Sequence, residues 1–533
     1  MVLVFNFGGQ YAHLIARKVR ELGVKSELVA PYTSVSQVKK LNSQAIIFSG
    51  SPYSVYDKNA PHPDIKIYGL GIPILGICYG HQLLAYQLKG KVSPGQSKQF
   101  GKEKLFVSKS PLFSGLSKEE QVWFSHGDHV DSLPPGFKMI ASTSTSKFAA
   151  MENPERKYFS VQFHPEVTHT KKGMRVLSNF LFDIAKAKRD WNLKNIKVGI
   201  VKKLTKDLAG QKVLMALSGG VDSLVAATLI REAVGSNLHC IFIDTGFLRN
   251  YDIKDLNKVV KNAGFKNLKI VNAKIKFLKV LKGITDPEEK RQQIAKVYFS
   301  ILEDEAKKIG NIAYLGQGTI YPDRVESAQT SKHADKIKSH HNVTLPSGLK
   351  LKIVEPLSDF YKDEVRKIGQ ILKIPQEFLD RHPFPGPGLA IRILGEMTED
   401  RLEILRQVDE IFISELKTNN IFKEGSFRSP SLRPSQSSGL KEVSDQSVYS
   451  NVAQAFAVLL PVKAVGVMGD ARTYSYIVSL RSVDTEDFMT ADWSKIPYDI
   501  LEKVSSRIVN EVRGVNRVVY DITQKPPATI EYE

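Results

Sequence analysis

The chain has 533 residues, of which 42% are hydrophobic and 25% are charged, and this composition excludes an intrinsically disordered protein. Lysine and arginine outnumber aspartate and glutamate by 75 to 56, a net charge of +19, which suits small anionic substrates as well as nucleic acid. The two cysteines, Cys78 and Cys240, exclude a disulfide framework, a cysteine zinc site and a Cys-x-x-Cys redox pair. The sequence shows no basic leader and no run of roughly 20 apolar residues. We therefore expect a cytoplasmic protein without membrane contact.

The first 190 residues alternate short apolar runs with helical segments, a pattern typical of a parallel α/β sheet. The predicted elements are strands at 2–7, 45–48 and 72–77 and helices at 14–22 and 82–88. A charged stretch at 186–192 then precedes a new helical pattern. This change predicts a domain boundary near residue 190.

Two further regions follow, in line with the roughly 100–200 residues of a typical domain. The second has predicted strands at 212–217, 238–243 and 312–315, and the third has strands at 464–467 and 476–480 and a helix at 501–512. A segment at 425–439 is rich in Ser, Pro and Gly, which predicts an exposed loop. We therefore predict parallel-sheet α/β domains at 1–190 and 191–383, followed by a smaller α+β domain at 384–533.

The segment 71–82 runs from a buried strand into a helix, with Cys78 at the junction and Gly76 and Gly80 two residues to each side. Small flanking residues permit the sharp turn of a nucleophile elbow, which lifts the reactive atom clear of the sheet. A thiol at a helix N-terminus also lies at the positive end of the helix dipole, which favours the nucleophilic thiolate. The pattern predicts a catalytic cysteine, with a small buried apolar residue as the alternative.

A second segment, 158–166, is predicted as a strand that ends in a histidine and a glutamate two residues apart. The carboxyl ends of parallel strands form the active-site edge of α/β proteins. His164 can take the thiol proton and Glu166 can fix the imidazole tautomer, which is the arrangement of a catalytic triad. A hydrogen-bonded structural histidine is the alternative.

Three segments resemble the class I glutamine amidotransferases. They are GICYGHQ at 76–82, QFHPE at 162–166 and FSGSP at 48–52, where that family has its oxyanion loop. The resemblance implies that Cys78 attacks the side-chain amide of glutamine, forms a glutamyl thioester and releases ammonia. The backbone N–H groups of Gly50 and Tyr79 would stabilise the oxyanion. The family usually has two glycines before the proline of this loop, where the present sequence has Ser51.

The strand at 212–217 leads into SGGVDS at 218–223, and a helical run follows. Glycines at such a bend expose backbone N–H groups, and the helix N-terminus adds positive potential for phosphate. Ser218 and Ser223 add hydroxyl donors. The loop lacks the Gly-Lys-Ser/Thr end of a Walker A motif, so γ-phosphoryl transfer is not predicted. A glycine-rich turn with a Ser or Asp N-cap is the alternative.

This loop resembles the pyrophosphate loop of the N-type ATP pyrophosphatases, which hold the β and γ phosphates while an acceptor oxygen attacks the α phosphorus. The resemblance implies ATP binding with Mg²⁺ and makes Asp222 the carboxylate nearest the metal. Leu224 stands where the family commonly has Ser or Thr. Asp244, at the end of the next strand, would serve the nucleotide or metal, or cap a turn. The predicted ATP-binding residues are Ser218, Gly219, Gly220, Val221, Asp222, Ser223, Leu224 and Asp244.

An amidotransferase followed by this loop resembles the GMP synthetase family, and the resemblance covers nearly the whole chain. The matching segments are IYPDRVES at 320–327, IKSHHN at 337–342, HPFPGPGL at 382–389, GVMGD at 466–470 and KPPATIE at 525–531. The implied reaction converts XMP, ATP, glutamine and water to GMP, AMP, pyrophosphate and glutamate. Adenylation would turn the C2 oxygen of xanthine into a leaving group, and a sheltered route would deliver unprotonated ammonia.

The same resemblance implies further site residues. Residues 320–342 would form a mobile lid, whose residues near the adenylation site are Asp323, Glu326, Lys338, His340 and His341. The alternative for each lid charge is an ordinary solvated loop. The matching XMP positions are Arg291, Gln454, Arg517, Lys525, Ile530 and Glu531. Basic groups would meet the XMP phosphate, and Glu531 would accept from the purine or ribose. An exposed salt bridge is the alternative for Arg291.

The third region would form a homodimer and complete the XMP pocket, as it does in that family. Two other classes of function stay open. An RNA-modifying pyrophosphatase would suit the positive charge, although such sulfur-transferring enzymes rely on more cysteines than Cys240 beyond the elbow. A non-catalytic amidotransferase-like binding protein is the other class, and the joint presence of Cys78, His164 and Glu166 argues against it. We expect small-molecule substrates and no nucleic acid.

Overall fold

The computed structural model describes residues 1–167, 169–249, 264–323, 351–379, 386–421, 452–468, 470–485, 491–525 and 527–533. The chain divides into two compact units, Met1–Asn192 and Leu193–Glu533. A further division between residues 383 and 384 stays a prediction. The Ser- and Pro-rich loop predicted at 425–439 lies outside the described residues.

Unit 1 is built on a nine-stranded sheet in the order β2-β1-β3-β4-β9-β8-β7-β5-β6. Its strands are β1 (Val2–Phe5), β2 (Ser26–Val29), β3 (Ala45–Phe48), β4 (Ile74–Ile77), β5 (Lys91–Val107), β6 (Glu119–Ser132), β7 (Lys138–Ser142), β8 (Ala150–Asn153) and β9 (Tyr158–Val161). Its helices are α1 (Ala12–Glu21), α2 (Val35–Lys40), α3 (Tyr79–Gln87) and α4 (Gly173–Ser178), with 3₁₀ helices at Ile65–Gly69 and Pro111–Phe113 and a π-helix at Asn179–Ile184.

The parallel half of this sheet carries the core of unit 1. Strands β2, β1, β3, β4 and β9 are parallel, and every residue of β1, β3, β4 and β9 is buried. Successive side chains enter opposite faces, so Val4 packs in one apolar cluster and Leu3 in the other. Such strands read as continuous apolar runs because both faces are covered. The predicted parallel α/β fold is confirmed.

The antiparallel half was not predicted. Strands β5 and β6 form a long antiparallel pair, and β7 and β8 connect it to β9. Along β6 buried residues alternate with half-buried and exposed ones, so no apolar run marks this strand. The predicted strand at 2–7 also ends earlier, at Phe5, and the strand predicted from residue 72 begins at Ile74.

Unit 2 contains two sheets. The first, in the order β12-β11-β10-β13-β14, is wholly parallel and consists of β10 (Lys212–Leu217), β11 (Leu238–Asp244), β12 (Asn267–Asn272), β13 (Ile312–Gly316) and β14 (Lys352–Val354). Helices in this part are α5 (Leu193–Asp207), α6 (Val221–Val234), α7 (Lys274–Leu281), α8 (Pro287–Ile309), α9 (Lys362–Ile371) and α10 (Gln376–Leu379), with 3₁₀ helices at Gly235–Asn237 and Gly388–Arg392.

The second sheet follows helix α11 (Glu399–Thr418). It consists of β15 (Val452–Met468), β16 (Ala471–Asp484), β17 (Asp492–Trp493) and β18 (Val515–Asp521), with α12 (Tyr498–Glu511) before the last strand. Strand β16 pairs antiparallel with β15 and β17 and parallel with β18. One apolar cluster contains residues of both sheets, including Ile241 of β11, Leu405 of α11 and Leu480 of β16. The two sheets of unit 2 therefore share one apolar core.

No helix in the described ranges has both the length and the apolar character required to cross a membrane.

Candidate active sites

The turn between β4 and α3 carries the cysteine. Cys78 adopts φ +55° and ψ −107°, a backbone region that non-glycine residues rarely occupy. A Cβ on Gly76 would lie 2.4 Å from the carbonyl oxygen of Gly80, and a Cβ on Gly80 would lie 2.4 Å from that of Phe48. Backbone atoms lie too close to both positions for any residue larger than glycine. The resulting tight turn directs the thiol away from the strand.

A buried histidine and glutamate stand beside the thiol. Nδ1 of His164 lies 2.7 Å from Oε1 of Glu166, and both side chains are buried. The thiol of Cys78 donates to the backbone carbonyl of Ser125 at 3.7 Å, and its sulfur is close enough to the imidazole to act on the pKa of His164. Burial alone lowers the pKa of His164, but the Glu166 carboxylate and the Cys78 thiol outweigh burial and raise that pKa to about 10. The pair therefore holds a proton next to the thiol at neutral pH.

The loop after β3 faces the same point. A Cβ on Gly50 would lie 3.6 Å from Cε1 of His164 and 3.9 Å from Cβ of Cys78. Ser51 donates its hydroxyl to the carbonyl oxygen of Phe7 at 2.9 Å, so this departure from the family pattern ties the loop to the chain after β1. The backbone N–H of Tyr79 lies in the first turn of α3, where helical N–H groups lack an intrahelical acceptor.

Sequence reasoning missed a buried polar cluster behind the elbow. Gln82 donates to the backbone carbonyl of Asp128 at 2.9 Å and to Oε1 of Gln162 at 3.3 Å. Nδ1 of His126 lies 2.7 Å from the same Asp128 carbonyl. Burial, together with the charge of His164, lowers the pKa of His126 to about 4, so this histidine is neutral. The GICYGHQ motif contains Gln82 and was a usable signal, whereas His126 lies in the unpredicted strand β6.

The loop between β10 and α6 is closed by its two serines. The Ser223 hydroxyl donates to the carbonyl of Gly220 at 2.9 Å, and the N–H of Ser218 donates to that hydroxyl at 3.2 Å. Gly219 has φ +81°, a conformation for which glycine is suited. A Cβ on Gly318, which follows β13, would lie 2.8 Å from the nitrogen of Ser223, so the next strand end also reaches this loop.

Two further residues of the predicted ATP-binding set, Val221 and Leu224, lie at the start of α6. Val221 is the first residue of α6 and is buried. Leu224 is buried against Phe378 of α10, so apolar packing accounts for leucine where the family commonly has a hydroxyl.

Asp222 is not a free carboxylate. Nζ of Lys362, the first residue of α9, lies 2.9 Å from its Oδ2, and sequence reasoning did not identify this lysine. The other oxygen of Asp222, Oδ1, is buried and has no hydrogen-bond partner in the described part of the chain. No group of three or more metal-ligating side chains occurs among the described residues. A Mg²⁺ ion that arrives with ATP needs only one or two protein carboxylates, and Asp222 Oδ1 fits that need.

Two other predicted acidic residues bond to nearby backbone. Asp244 accepts from the N–H of Gly246 at 2.9 Å, which is the turn-capping role, and its Oδ2 lies 3.3 Å from Nζ of Lys274. Asp323 accepts from the N–H of Ile320 at 3.0 Å. The remaining predicted lid residues lie outside the described ranges; they are Glu326, Lys338, His340 and His341.

Three of the predicted XMP residues come together near the second sheet of unit 2. Gln454 donates its amide to Oε1 of Glu531 at 2.8 Å. Ile530 is buried in an apolar cluster with Phe456 of β15 and Val483 of β16. The structure therefore brings Gln454, Ile530 and Glu531 to one place.

The other three predicted XMP residues are less closely connected to that place. Lys525 pairs through its backbone with Ala491. Nη1 of Arg291 lies 3.7 Å from Oε2 of Glu288, and the Arg291 side chain is only partly exposed. Its charge also acts on Glu533, where it opposes the rise in pKa that burial causes. Arg517 is exposed on β18, and none of the described contacts joins it to residues 527–533.

Comparison with known proteins adds independent findings. Residues 3–184 match the family Glutamine amidotransferase class-I, residues 192–296 match NAD synthase, and residues 441–532 match the GMP synthase C terminal domain. The chain is similar over 100% of its length to GMP synthases [glutamine-hydrolyzing] from Aquifex aeolicus, Carboxydothermus hydrogenoformans and Fusobacterium nucleatum, at 50%, 48% and 47% identity. The alignment covers 99% of each of these relatives.

Proposed function

The chain belongs to the glutamine-hydrolysing GMP synthases, a family of carbon–nitrogen ligases, and from that premise we propose which of its residues perform each step. Unit 1 hydrolyses glutamine and releases ammonia. The pyrophosphatase part of unit 2 adenylates XMP with ATP, and ammonia then displaces AMP to give GMP.

In the glutamine step, the sulfur of Cys78 attacks the side-chain amide carbon. The N–H groups of Gly50 and Tyr79 stabilise the oxyanion that develops there. His164, protonated at neutral pH, donates its proton to the leaving nitrogen, so ammonia departs and a glutamyl thioester remains. The imidazole then takes a proton from water as that water attacks the thioester, which releases glutamate. Glu166 keeps the ring oriented through Nδ1.

In the adenylation step, the C2 oxygen of XMP attacks the α phosphorus of ATP and pyrophosphate leaves. The N–H groups of the 218–223 loop and the N-terminus of α6 face the departing phosphates. Lys362 offsets part of their charge, and it also orients Asp222. Asp222 would hold a Mg²⁺ ion that arrives with ATP, and that ion would neutralise charge that develops on the pyrophosphate.

XMP binding involves the segment that contains Ile530 and Glu531, together with Gln454 of β15. Lys525, Arg291 and Arg517 supply positive charge for the XMP phosphate. The contact between Gln454 and Glu531 supports the placement of this pocket beside β15.

We also propose a homodimer that forms through the β15–β16 hairpin. Val465 and Tyr474 are paired across it, and together with Val467 they expose large apolar side chains. Exposed apolar patches of this kind are typical of protein–protein interaction sites. A charge at Val467, as in Val467→Lys, should shift the sedimentation coefficient toward that of a monomer; an unchanged coefficient would remove the hairpin from the interface.

The observation that carries the proposed function is the convergence of Cys78, His164 and Gly50 at one point of unit 1. The test is an assay for XMP amination with glutamine or ammonium as the nitrogen donor, in which XMP, ATP and Mg²⁺ are omitted one at a time. GMP should form with either donor, and AMP and pyrophosphate should appear in equal amounts. ADP and phosphate as products would exclude the adenylyl mechanism.

A further inference from the structure

Three fully buried cations of unit 2 contact the final segment of the sequence, residues 527–533. The side chains of Lys290, Arg392 and Arg481 each have 0% exposure. Lys290 binds the carboxylate of Glu533 at 2.7 Å, and Arg481 donates to the backbone carbonyl of Ile530 at 2.8 Å. A buried charge is costly unless it is paired. Carboxylates of this segment pair with Lys290 and Arg392, whereas Arg481 pairs with Asp521 of β18 at 2.7 Å.

Arg392 differs from the other two because it binds the side chain that is proposed to face XMP. Its Nη2 lies 2.7 Å from Oε1 of Glu531, and its Nε lies 3.0 Å from Oε2. The guanidinium group also lies 4.1 Å from the ring centroid of Phe456. A planar guanidinium that binds both oxygens fixes the plane of a carboxylate as well as its position.

Glu531 remains accessible in this arrangement. Oε1 also accepts from the amide of Gln454 at 2.8 Å, yet the side chain of Glu531 keeps 12% exposure. The carboxylate is therefore held by Arg392 and Gln454 while the Glu531 side chain as a whole keeps partial contact with solvent. A group that is oriented in advance loses little conformational entropy when a ligand binds.

We propose that Arg392 is a positioning residue for XMP, which acts by fixing the orientation of the Glu531 carboxylate before the nucleotide arrives. This inference rests on the proposed function, because XMP is taken as the ligand of Glu531. The role depends on the bidentate contact between Arg392 and the two oxygens of Glu531. A lysine at position 392 would keep the charge but could not fix the orientation of the carboxylate.

The test measures XMP binding and the KM values for XMP and ATP in Arg392→Met, Arg392→Lys, Glu531→Gln and the double variant Arg392→Met/Glu531→Gln. We expect Arg392→Met and Glu531→Gln each to weaken XMP binding roughly ten- to a hundred-fold. The double variant should bind XMP no more weakly than the weaker-binding of the two single variants, because the two residues act as one unit. Arg392→Lys should fall between Arg392→Met and the unmodified enzyme, and the KM for ATP should change less than about threefold in every variant.

Lys290→Met is the matched control, because it also removes a fully buried cation that binds a carboxylate of the same segment. It should destabilise the fold but weaken XMP binding far less than Arg392→Met. Equal weakening in both variants would reduce Arg392 to a general anchor and overturn the proposal. Multiplicative effects in the double variant would also overturn it.

Folding and function are separated by two further comparisons. The double variant leaves no unpaired buried charge, so it stays informative if Arg392→Met alone does not fold. If the unmodified enzyme forms no GMP from XMP, the proposed function itself fails. If it forms GMP and Arg392→Lys binds XMP as tightly, only the inference on Arg392 fails.

Discussion

The β4–α3 turn and the β10–α6 loop solve two chemical problems with the same strand–turn–helix unit. In the first, glycines two residues to either side of Cys78 meet backbone carbonyls so closely that no Cβ fits, and one side chain is lifted into the site. In the second, Ser218 and Ser223 close the loop by hydrogen bonds, and the backbone N–H groups are proposed to face the phosphates of ATP.

The difference concerns what must be held rigid. A nucleophile has to be placed within a fraction of an ångström of its substrate, and the strained φ of Cys78 is maintained by contacts on both sides. A phosphate group accepts hydrogen bonds from many directions, so a phosphate loop can rely on adjustable hydroxyl contacts. A Cβ on Gly220, for example, would meet only the hydroxyl of Ser218 at 3.4 Å.

The largest expected effect separates the two sites completely. Cys78→Ala should abolish GMP formation from glutamine, because it removes the thiol that is proposed to form the thioester, and it should preserve synthesis from high ammonium. The measurement is GMP formation with each donor. Loss of both activities in a folded protein would show that the two sites are not separable.

The second prediction concerns charge at the phosphate loop. Asp222→Asn should slow adenylation roughly ten- to a hundred-fold with either nitrogen donor, because it removes the carboxylate that pairs with Lys362 and is proposed to lie near Mg²⁺. Pyrophosphate release from XMP and ATP measures this step. Asp244→Asn is the control, since Asp244 already caps a turn and pairs with Lys274, and it should have a smaller effect. The opposite order would make Asp244 the metal-proximal carboxylate.

A third prediction uses the raised pKa of His164. Glu166→Gln removes a negative charge beside the imidazolium, so the pKa of His164 should fall below about 10, and the alkaline limit of glutamine hydrolysis should move to lower pH. A pH–rate profile of the glutaminase reaction measures that limit.

The raised pKa of His164 also predicts how the unfolding free energy of unit 1 depends on pH. Because the folded pKa of His164 exceeds its ordinary value of 6.5, the stabilisation from the pair is complete below pH 6.5 and is lost as the pH rises toward 10. Glu166→Gln should therefore destabilise unit 1 most at acidic to neutral pH, with a smaller difference near pH 10. A difference in unfolding free energy that grows with pH would contradict the charged pair.

The smallest expected effect is the change in unfolding free energy when one methyl group is added to each of the two turns. Gly80→Ala places a Cβ 2.4 Å from the Phe48 carbonyl and should lower the unfolding free energy by about 1–3 kcal/mol. Gly220→Ala, at φ −82° and ψ +159°, should change it by no more than about 0.5 kcal/mol. Thermal or denaturant unfolding of both variants provides the measurement. Equal losses would mean that the phosphate loop is as constrained as the elbow.

Much of the fold was accessible from local patterns. Strands β1, β3, β4 and β10 are short apolar runs, and their period and length identify them without tertiary information. The pair β5 and β6 was missed because its buried positions alternate irregularly with polar ones. The boundaries of β1 and β4 also shifted, because the point at which a chain leaves a sheet depends on neighbours that are distant in sequence.

The candidate sites show the same division. Short motifs, each only a few residues long, identified Cys78, His164, Glu166 and the 218–223 loop as site candidates. Lys362 and Arg392 were missed, since each meets its partner over a separation of 140 and 139 residues. A single lysine or arginine in a sequence carries no sign of which carboxylate it will reach.

By itself, the sequence determined the parallel α/β architecture, the strand–turn–helix placement of the thiol and the composition of the phosphate loop, because each depends on residues that are neighbours along the chain. Only the tertiary structure decided which histidine is charged, that the carboxylate of Asp222 pairs with Lys362, and that fully buried cations contact residues 527–533. Burial and distant ion pairs control these features, and the cost of placing an unpaired charge inside a protein depends on all the chain segments that surround it.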